Sequence, residues 1–182
     1  MLTPTIDNDA CVMFSDGPIR LSSEQFEELW GLRPADQQQV KIYGKNINTP
    51  RRYNVYGASY AFAGQENIAN PEIPDILRPF AVYGNSILVN YYKDGEDYIG
   101  YHSDDEKNLI ANQRIHCFSY GAERKFKFKH KKTDEVLDMV LPNNSLLIMK
   151  EETQKNWKHS LPVMKKVNNR RISVTIRTIH SV

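Results

Sequence analysis

Cysteine is nearly absent from this 182-residue chain, which holds only Cys11 and Cys117. Two thiols build neither a disulfide framework nor a zinc cluster, so the expectation is two reduced thiols in an intracellular protein. Long hydrophobic runs are missing too: no apolar stretch approaches the ~20 residues of a membrane span. Met1–Ala10 lack the basic and apolar regions of a signal peptide. A soluble chain inside the cell is expected, nuclear in a eukaryote or cytoplasmic in a bacterium. Neither charge sign dominates, with 24 Lys plus Arg against 22 Asp plus Glu and a net charge of +2. Bulk charge therefore does not point to nucleic acid, and any basic surface must be local. Internal repeats and low-complexity segments are likewise absent. The length suits one domain with a core large enough to fold alone.

What is present divides the chain in two. Ser22 stands three residues before Gln25, the capping-box spacing, and Glu24, Glu27 and Glu28 interleave with Phe26, Leu29 and Trp30; a short helix is predicted here. Val40, Ile42 and Tyr43 read as a strand, and Pro50–Gly57 and Ser59–Gly64 as short tyrosine-rich segments punctuated by glycine. Pro71–Phe80 reads as a second helix with Pro74 in its first turn. From Ser86 onward branched and aromatic residues dominate. Strands are predicted at Ile87–Tyr92, Ile115–Tyr120, Lys125–Lys129, Val136–Leu141, Ser145–Lys150 and Ile172–Ile179, separated by Asp94-Gly95, Gly121 and Asn143-Asn144. The fold class is α+β, mainly β, and a sandwich or jelly roll suits the second half.

Two constellations carry chemistry. In His102-Ser103-Asp104 an imidazole and a carboxylate share one face if the segment is a strand. His159 is the best third ligand, and two histidines with one carboxylate leave positions open on an iron. Alone, the His-x-Asp spacing is weak, because both residue types also sit on solvated strands and turns. His116, His130 and His180 read as packed or exposed. Near the C-terminus, Arg171, Ser173, Thr175 and Arg177 alternate with Ile172, Val174 and Ile176. Inward guanidiniums are costly unless they meet anions, and a dicarboxylate would answer that need bidentately. A basic outer strand face is the alternative. Asn90 and Tyr92 share a face and offer an amide and a phenol to the same ligand.

The run Asn90-Tyr91-Tyr92-Lys93-Asp94-Gly95-Glu96-Asp97-Tyr98-Ile99-Gly100-Tyr101-His102-Ser103-Asp104-Asp105-Glu106 resembles the iron-binding core of the AlkB family, in particular the branch that includes the second human AlkB homologue. Phe118–Phe126, Ser145–Met149, Trp157–Val163 and the terminal R-I-S-V-T-I-R follow in the same order. Upstream, Pro50-Arg51 and Tyr60-Ala61-Phe62-Ala63-Gly64 look like the family's substrate side. The resemblance runs from about Val40 to Ile179.

The resemblance implies a double-stranded β-helix: a single domain over residues 1–182, with an N-terminal extension and nucleotide-recognition lid to about residue 84 and the core over 85–182. It implies iron(II) on His102, Asp104 and His159. It implies 2-oxoglutarate on Arg171 and Arg177, helped by Asn90, Tyr92, Ser173 and Thr175, with oxygen as the second co-substrate. Ser173 stands where relatives often carry asparagine, and Met164 where a relative has a basic residue before Lys165-Lys166. Phe62 would stack on the damaged base, Tyr60 and Asp105 would line its pocket, and Arg51 belongs to the same side. Tyr43 would be an aromatic finger inserted into duplex, offsetting part of the cost of extruding a base. Lys165, Lys166 and the Lys129–Lys132 run would meet phosphates. The implied activity is oxidative demethylation of 1-methyladenine and 3-methylcytosine in DNA by a monomer, releasing formaldehyde, succinate and carbon dioxide. Alternatives are an RNA or protein demethylase with the same core, a nucleic-acid binding module without catalysis, or a cupin-like sugar protein, which leaves both arginines unexplained.

Overall fold

The computed structural model describes residues 2–6, 11–14, 16–42, 44–62, 65–105 and 108–180. In chain order these form β1 (Leu2–Ile6), β2 (Cys11–Phe14), α1 (Ser23–Gly31), β3 (Gln39–Ile42), β4 (Lys45–Asn48), β5 (Arg52–Gly57), β6 (Tyr60–Phe62) and β7 (Gln65–Asn67). A 3-10 helix (Asp75–Tyr83) leads into β8 (Ser86–Tyr92), β9 (Ile99–His102), β10 (Arg114–Gly121), β11 (Arg124–His130), β12 (Val136–Leu141) and β13 (Ser145–Lys150). Then come α2 (Glu151–Asn156), β14 (Trp157–Leu161) and β15 (Arg171–Arg177).

Two antiparallel sheets make the jelly roll. The larger runs β1-β2-β13-β10-β15-β8-β5 and the smaller β12-β11-β14-β9, while β3-β4 and β6-β7 are separate hairpins. The sheets share a core in which Ile115, Cys117, Leu147 and Met149 of the large sheet meet Phe126, Phe128, Trp157 and Leu161 of the small one. The other face of the large sheet is also buried. Ile87, Val89, Tyr91, Phe118, Ile172, Val174 and Ile176 pack under Leu29 and Trp30 of α1 and Leu77 and Phe80 of the 3-10 helix. Phe80 meets Phe118 edge-on at 5.1 Å, a geometry that adds about 0.5–1.5 kcal/mol beyond the area buried. β15 is consequently buried along its whole length: its isoleucines and valine face the helices, and its arginines and hydroxyls face the space between the sheets.

The capping box forms as its spacing predicts, with Ser22 Oγ accepting from Gln25 N–H at 3.3 Å and Gln25 Oε1 accepting from Ser22 N–H at 2.9 Å. The second helix departs from expectation. It is a 3-10 helix that starts after Pro74 and contains Pro79. Proline has no N–H for an i→i−4 bond, and its ring crowds the preceding turn, so an α-helix is not sustained. The last strand begins at Arg171 and ends at Arg177, short of the expected Ile179, which instead bridges Leu109 in isolation. Strands β1, β2, β4, β7 and β14 and helix α2 have no counterpart in the sequence reading, and β9 ends at His102, short of the Asp104 that a His-x-Asp strand would include. β1, β2 and β5, all before residue 84, complete the large sheet.

Candidate functional site

β9 ends on His102 and β14 carries His159, and the ladder pairs these two residues directly. Their rings lie 4.3 Å apart between centroids. Asp104 reaches the same point by a different route from the expected strand alternation, because the chain leaves the strand after His102. Ser103 Oγ donates to the Trp157 carbonyl at 2.9 Å, and Asp104 N–H donates to Gln154 Oε1 at 2.9 Å. Side chains thus replace ladder partners and swing the carboxylate inward. Asp104 Oδ1 lies 3.9 Å from His102 Nε2 and Oδ2 lies 3.7 Å from His159 Nε2. One ligand atom from each residue falls within 4.8 Å of the others. This donor set suits a divalent iron with open coordination positions.

The electrostatics prepare these groups for a cation. Burial alone would raise the Asp104 carboxyl, but Arg177 and the two histidines reverse this and hold it well below the ordinary carboxylate range. Burial, then the charge of His102, pushes His159 down to about 3. Burial lowers His102 as well. His102 Nδ1 sits 2.9 Å from the Gly100 carbonyl; a carbonyl only accepts, so Nδ1 carries the proton and Nε2 keeps its lone pair for an ion.

The β15 arginines face this centre. Arg177 Nη2 donates to Asp104 Oδ1 at 2.6 Å. Arg171 is 1% exposed; its Nη2 donates to Ser119 Oγ at 2.8 Å and its guanidinium lies 5.1 Å from the Tyr92 ring centroid. Its Nε and Nη1 are buried without a hydrogen-bond partner among the described residues. A buried cation with unused donors is expensive unless an anion completes it, so the cavity fits a carboxylate ligand. The β15–β8 register sets Arg171 opposite Tyr92, Ser173 opposite Asn90 and Thr175 opposite Leu88. All nine predicted metal and anion residues (Asn90, Tyr92, His102, Asp104, His159, Arg171, Ser173, Thr175 and Arg177) line one cavity, walled by Leu88, Ile99, Cys117, Phe126, Met149 and Leu161. Polar groups set in an apolar wall are the usual make-up of a small-ligand site.

Sequence reasoning missed three residues that support the cavity. Ser119 follows Cys117 at strand period on β10, a signal that could have found it. Gln154 lies on the unanticipated α2 and had none. Arg124, 0% exposed, donates to the carbonyls of Asp94 and Asp97 at 2.9 Å each and of Pro162 at 2.7 Å, tying the approach to β9 to the exit of β14.

The predicted substrate side is more dispersed. Asp105 is exposed, 3.7 Å from Lys131 Nζ, in a cleft with Leu109, Ile110 and Gln154 whose wall includes Asp104. Tyr60 and Phe62 belong to β6, but their side chains lie outside the described residues, as does Tyr43 altogether. Arg51 is buried, with Nε donating to Asn90 Oδ1 at 2.6 Å. Lys165 and Lys166 are exposed after β14. In the other lysine run, Lys129 pairs with Asp134 at 2.8 Å and Lys131 Nζ donates to the Gln154 carbonyl at 2.6 Å. His116 packs on Tyr83, His130 packs on Trp157 and His180 is exposed.

Comparison with known proteins adds independent findings. A family model described as the 2OG-Fe(II) oxygenase superfamily matches residues 33–177. The DNA oxidative demethylase ALKBH2 of Bos taurus is 38% identical over 159 residues, spanning 78% of this chain and 57% of that protein. The Homo sapiens ALKBH2 is also 38% identical over 159 residues, spanning 78% of this chain and 61% of that one. The alpha-ketoglutarate-dependent dioxygenase alkB homolog 3 of Rattus norvegicus is 34% identical over 105 residues, covering 53% and 36%. The chain therefore spans less than two thirds of the length of these relatives. The solved structure of OsALKBH1 superposes with a TM-score of 0.65 over 98% of this chain and all of that one, at 13% identity, a likeness of fold alone.

Proposed function

We infer, because this chain belongs to the 2OG-Fe(II) oxygenase superfamily and within it to the AlkB family, that it removes alkyl groups from DNA bases oxidatively. One observation carries the reading. Two imidazoles and a carboxylate converge within 4.8 Å in the same cavity as a buried arginine whose Nε and Nη1 are unused. The identity to DNA oxidative demethylases supports the choice of substrate.

His102, Asp104 and His159 would hold iron(II), and Arg171 and Arg177 with Tyr92, Asn90, Ser173 and Thr175 would hold 2-oxoglutarate. When bound, these groups with oxygen supply oxidation of an N-methyl carbon, with succinate and carbon dioxide as co-products and formaldehyde as the released fragment. The chain's own residues do the positioning. Gln154 holds the Asp104 backbone through its N–H and Arg177 holds the Asp104 carboxylate, Gly100 fixes the His102 tautomer, and the apolar wall excludes water. On the substrate side, Phe62 would stack on a cationic methylated base with His102 on its other face, Phe62 and the pocket-lining Tyr60 would attract it by cation–π interaction, and Asp105 would add opposite charge. The two free-standing hairpins, β3-β4 and β6-β7, would form the nucleotide-recognition lid, with Tyr43 at the first as a finger and Lys165 and Lys166 meeting phosphates. The protein would act as a monomer inside the cell.

Purified protein incubated aerobically with iron(II), 2-oxoglutarate and an oligonucleotide bearing one 1-methyladenine should yield the unmethylated product mass, and a His102→Ala variant should not. Matched duplex DNA, single-stranded DNA and RNA form the arms of the assay. Turnover confined to RNA would move the substrate from DNA to RNA. A folded, iron-loaded protein inert on all three would overturn the reading.

A further inference from the structure

Arg51 was expected on the substrate side, yet it is 8% exposed and its Nε donates to Asn90 Oδ1 at 2.6 Å. Its backbone is held at the joint between the β3-β4 hairpin and β5. Thr49 Oγ1 donates to the Arg51 carbonyl at 2.7 Å, and Tyr98 N–H donates to the Pro50 carbonyl at 3.0 Å. The Tyr53 ring lies 5.4 Å from the guanidinium. A guanidinium has donors and no acceptor, so it can engage only the oxygen of the Asn90 amide. The amide nitrogen must then point the other way, where Nδ2 stands 3.4 Å from Ser173 Oγ in the cavity. An amide without such a partner is free to present either atom, and an amide oxygen turned toward a carboxylate would repel it. The cation on the oxygen also polarises the N–H groups toward stronger donation.

We propose that Arg51 is a positioning residue of the co-substrate site: it locks the Asn90 amide with its NH2 group facing the bound carboxylate, and so joins the N-terminal half of the chain to co-substrate binding. The proposal rests on the reading of this cavity as a 2-oxoglutarate site. It gives Arg51 a role that does not need contact with nucleic acid.

The test is direct binding without turnover. Manganese(II)-loaded protein is titrated anaerobically with 2-oxoglutarate by calorimetry for the wild type, Arg51→Met, Asn90→Leu and the double variant. Arg51→Met should weaken binding about tenfold, the size expected for losing one oriented hydrogen bond to a charged group, and should add less than about twofold in the Asn90→Leu background. Asn90→Asp is the second probe, because it keeps a partner for Arg51 and so keeps the fold, but removes the donor; it too should bind at least about tenfold more weakly. Failure of the wild type to bind would overturn the cavity reading and the proposal with it. Wild-type binding with unchanged affinity in Arg51→Met or Asn90→Asp would overturn the role of Arg51 alone. An equal loss from Arg51→Met in both backgrounds would show Arg51 acting on the ligand directly, which also overturns it.

Discussion

Asp104 and Arg177 form an ion pair at 2.6 Å, with side chains 2% and 3% exposed. Removing one partner of such a pair strands the other charge away from water, at a cost of about 3–5 kcal/mol. Asp104→Ala should therefore lower the stability of the metal-free protein by that amount in urea unfolding, and Asp104→Ala with Arg177→Met should recover part of the loss. No recovery would mean that the carboxylate is held mainly by other groups. Arg124 presents the same logic without a carboxylate, since three carbonyls accept from its Nη1 and Nη2. Arg124→Met should cost about 3 kcal/mol or more, given that hydrogen bonds to a charged group are worth about 1.5–3 kcal/mol each; a cost under 1 kcal/mol would show the clamp to be dispensable.

The elements that carry these residues depend on short, checkable devices. α1 covers the outer face of the large sheet with Leu29 and Trp30, and its start is set by the Ser22–Gln25 capping box. Ser22→Ala should cost about 1 kcal/mol, read as a lower urea midpoint with an unchanged slope. The loop between β8 and β9 is stapled to the loop after β14: Gly95 N–H donates to the Val167 carbonyl at 2.7 Å, and Met164 N–H donates to the Gly95 carbonyl at 2.8 Å. A β-carbon at Gly95 would collide with the Met164 carbonyl. Backbone, unlike a flexible side-chain end, cannot yield cheaply. Gly95→Ala should destabilise by roughly 1–3 kcal/mol and loosen the segments that lead into His102 and out of His159. The same unfolding experiment reads the first effect, and metal retention after dialysis reads the second.

At the scale of the whole molecule, the site is a seam between two sheets, so a ligand there should hold the sheets together. A ligand that binds only the folded state at about 100 times its Kd stabilises it by roughly 2.7 kcal/mol. With manganese(II) present, 2-oxoglutarate at that excess should raise the melting temperature of the wild type and leave Arg171→Gln nearly unmoved. An equal rise in both would place the ligand away from the arginine.

Much of this was legible in the sequence because side-chain facing is a local property. Alternation on β15 separated Arg171, Ser173, Thr175 and Arg177 from Ile172, Val174 and Ile176, and the capping box marked α1. The chemical types of the metal set, and the shared face of the β15 arginines and hydroxyls, were determined by the chain itself. Tertiary structure decided what the chain could not. The apolar face of β15 meets helices rather than the space between the sheets. Asp104 leaves its strand because Gln154, fifty positions on, takes its N–H. Arg51 turns inward to Asn90 across 39 positions of chain, and Arg177 reaches Asp104 across 73. Periodicity along a strand fixes a side chain's direction relative to its own backbone. Its partner is fixed only when packing closes the two sheets and burial makes every unpaired polar group costly.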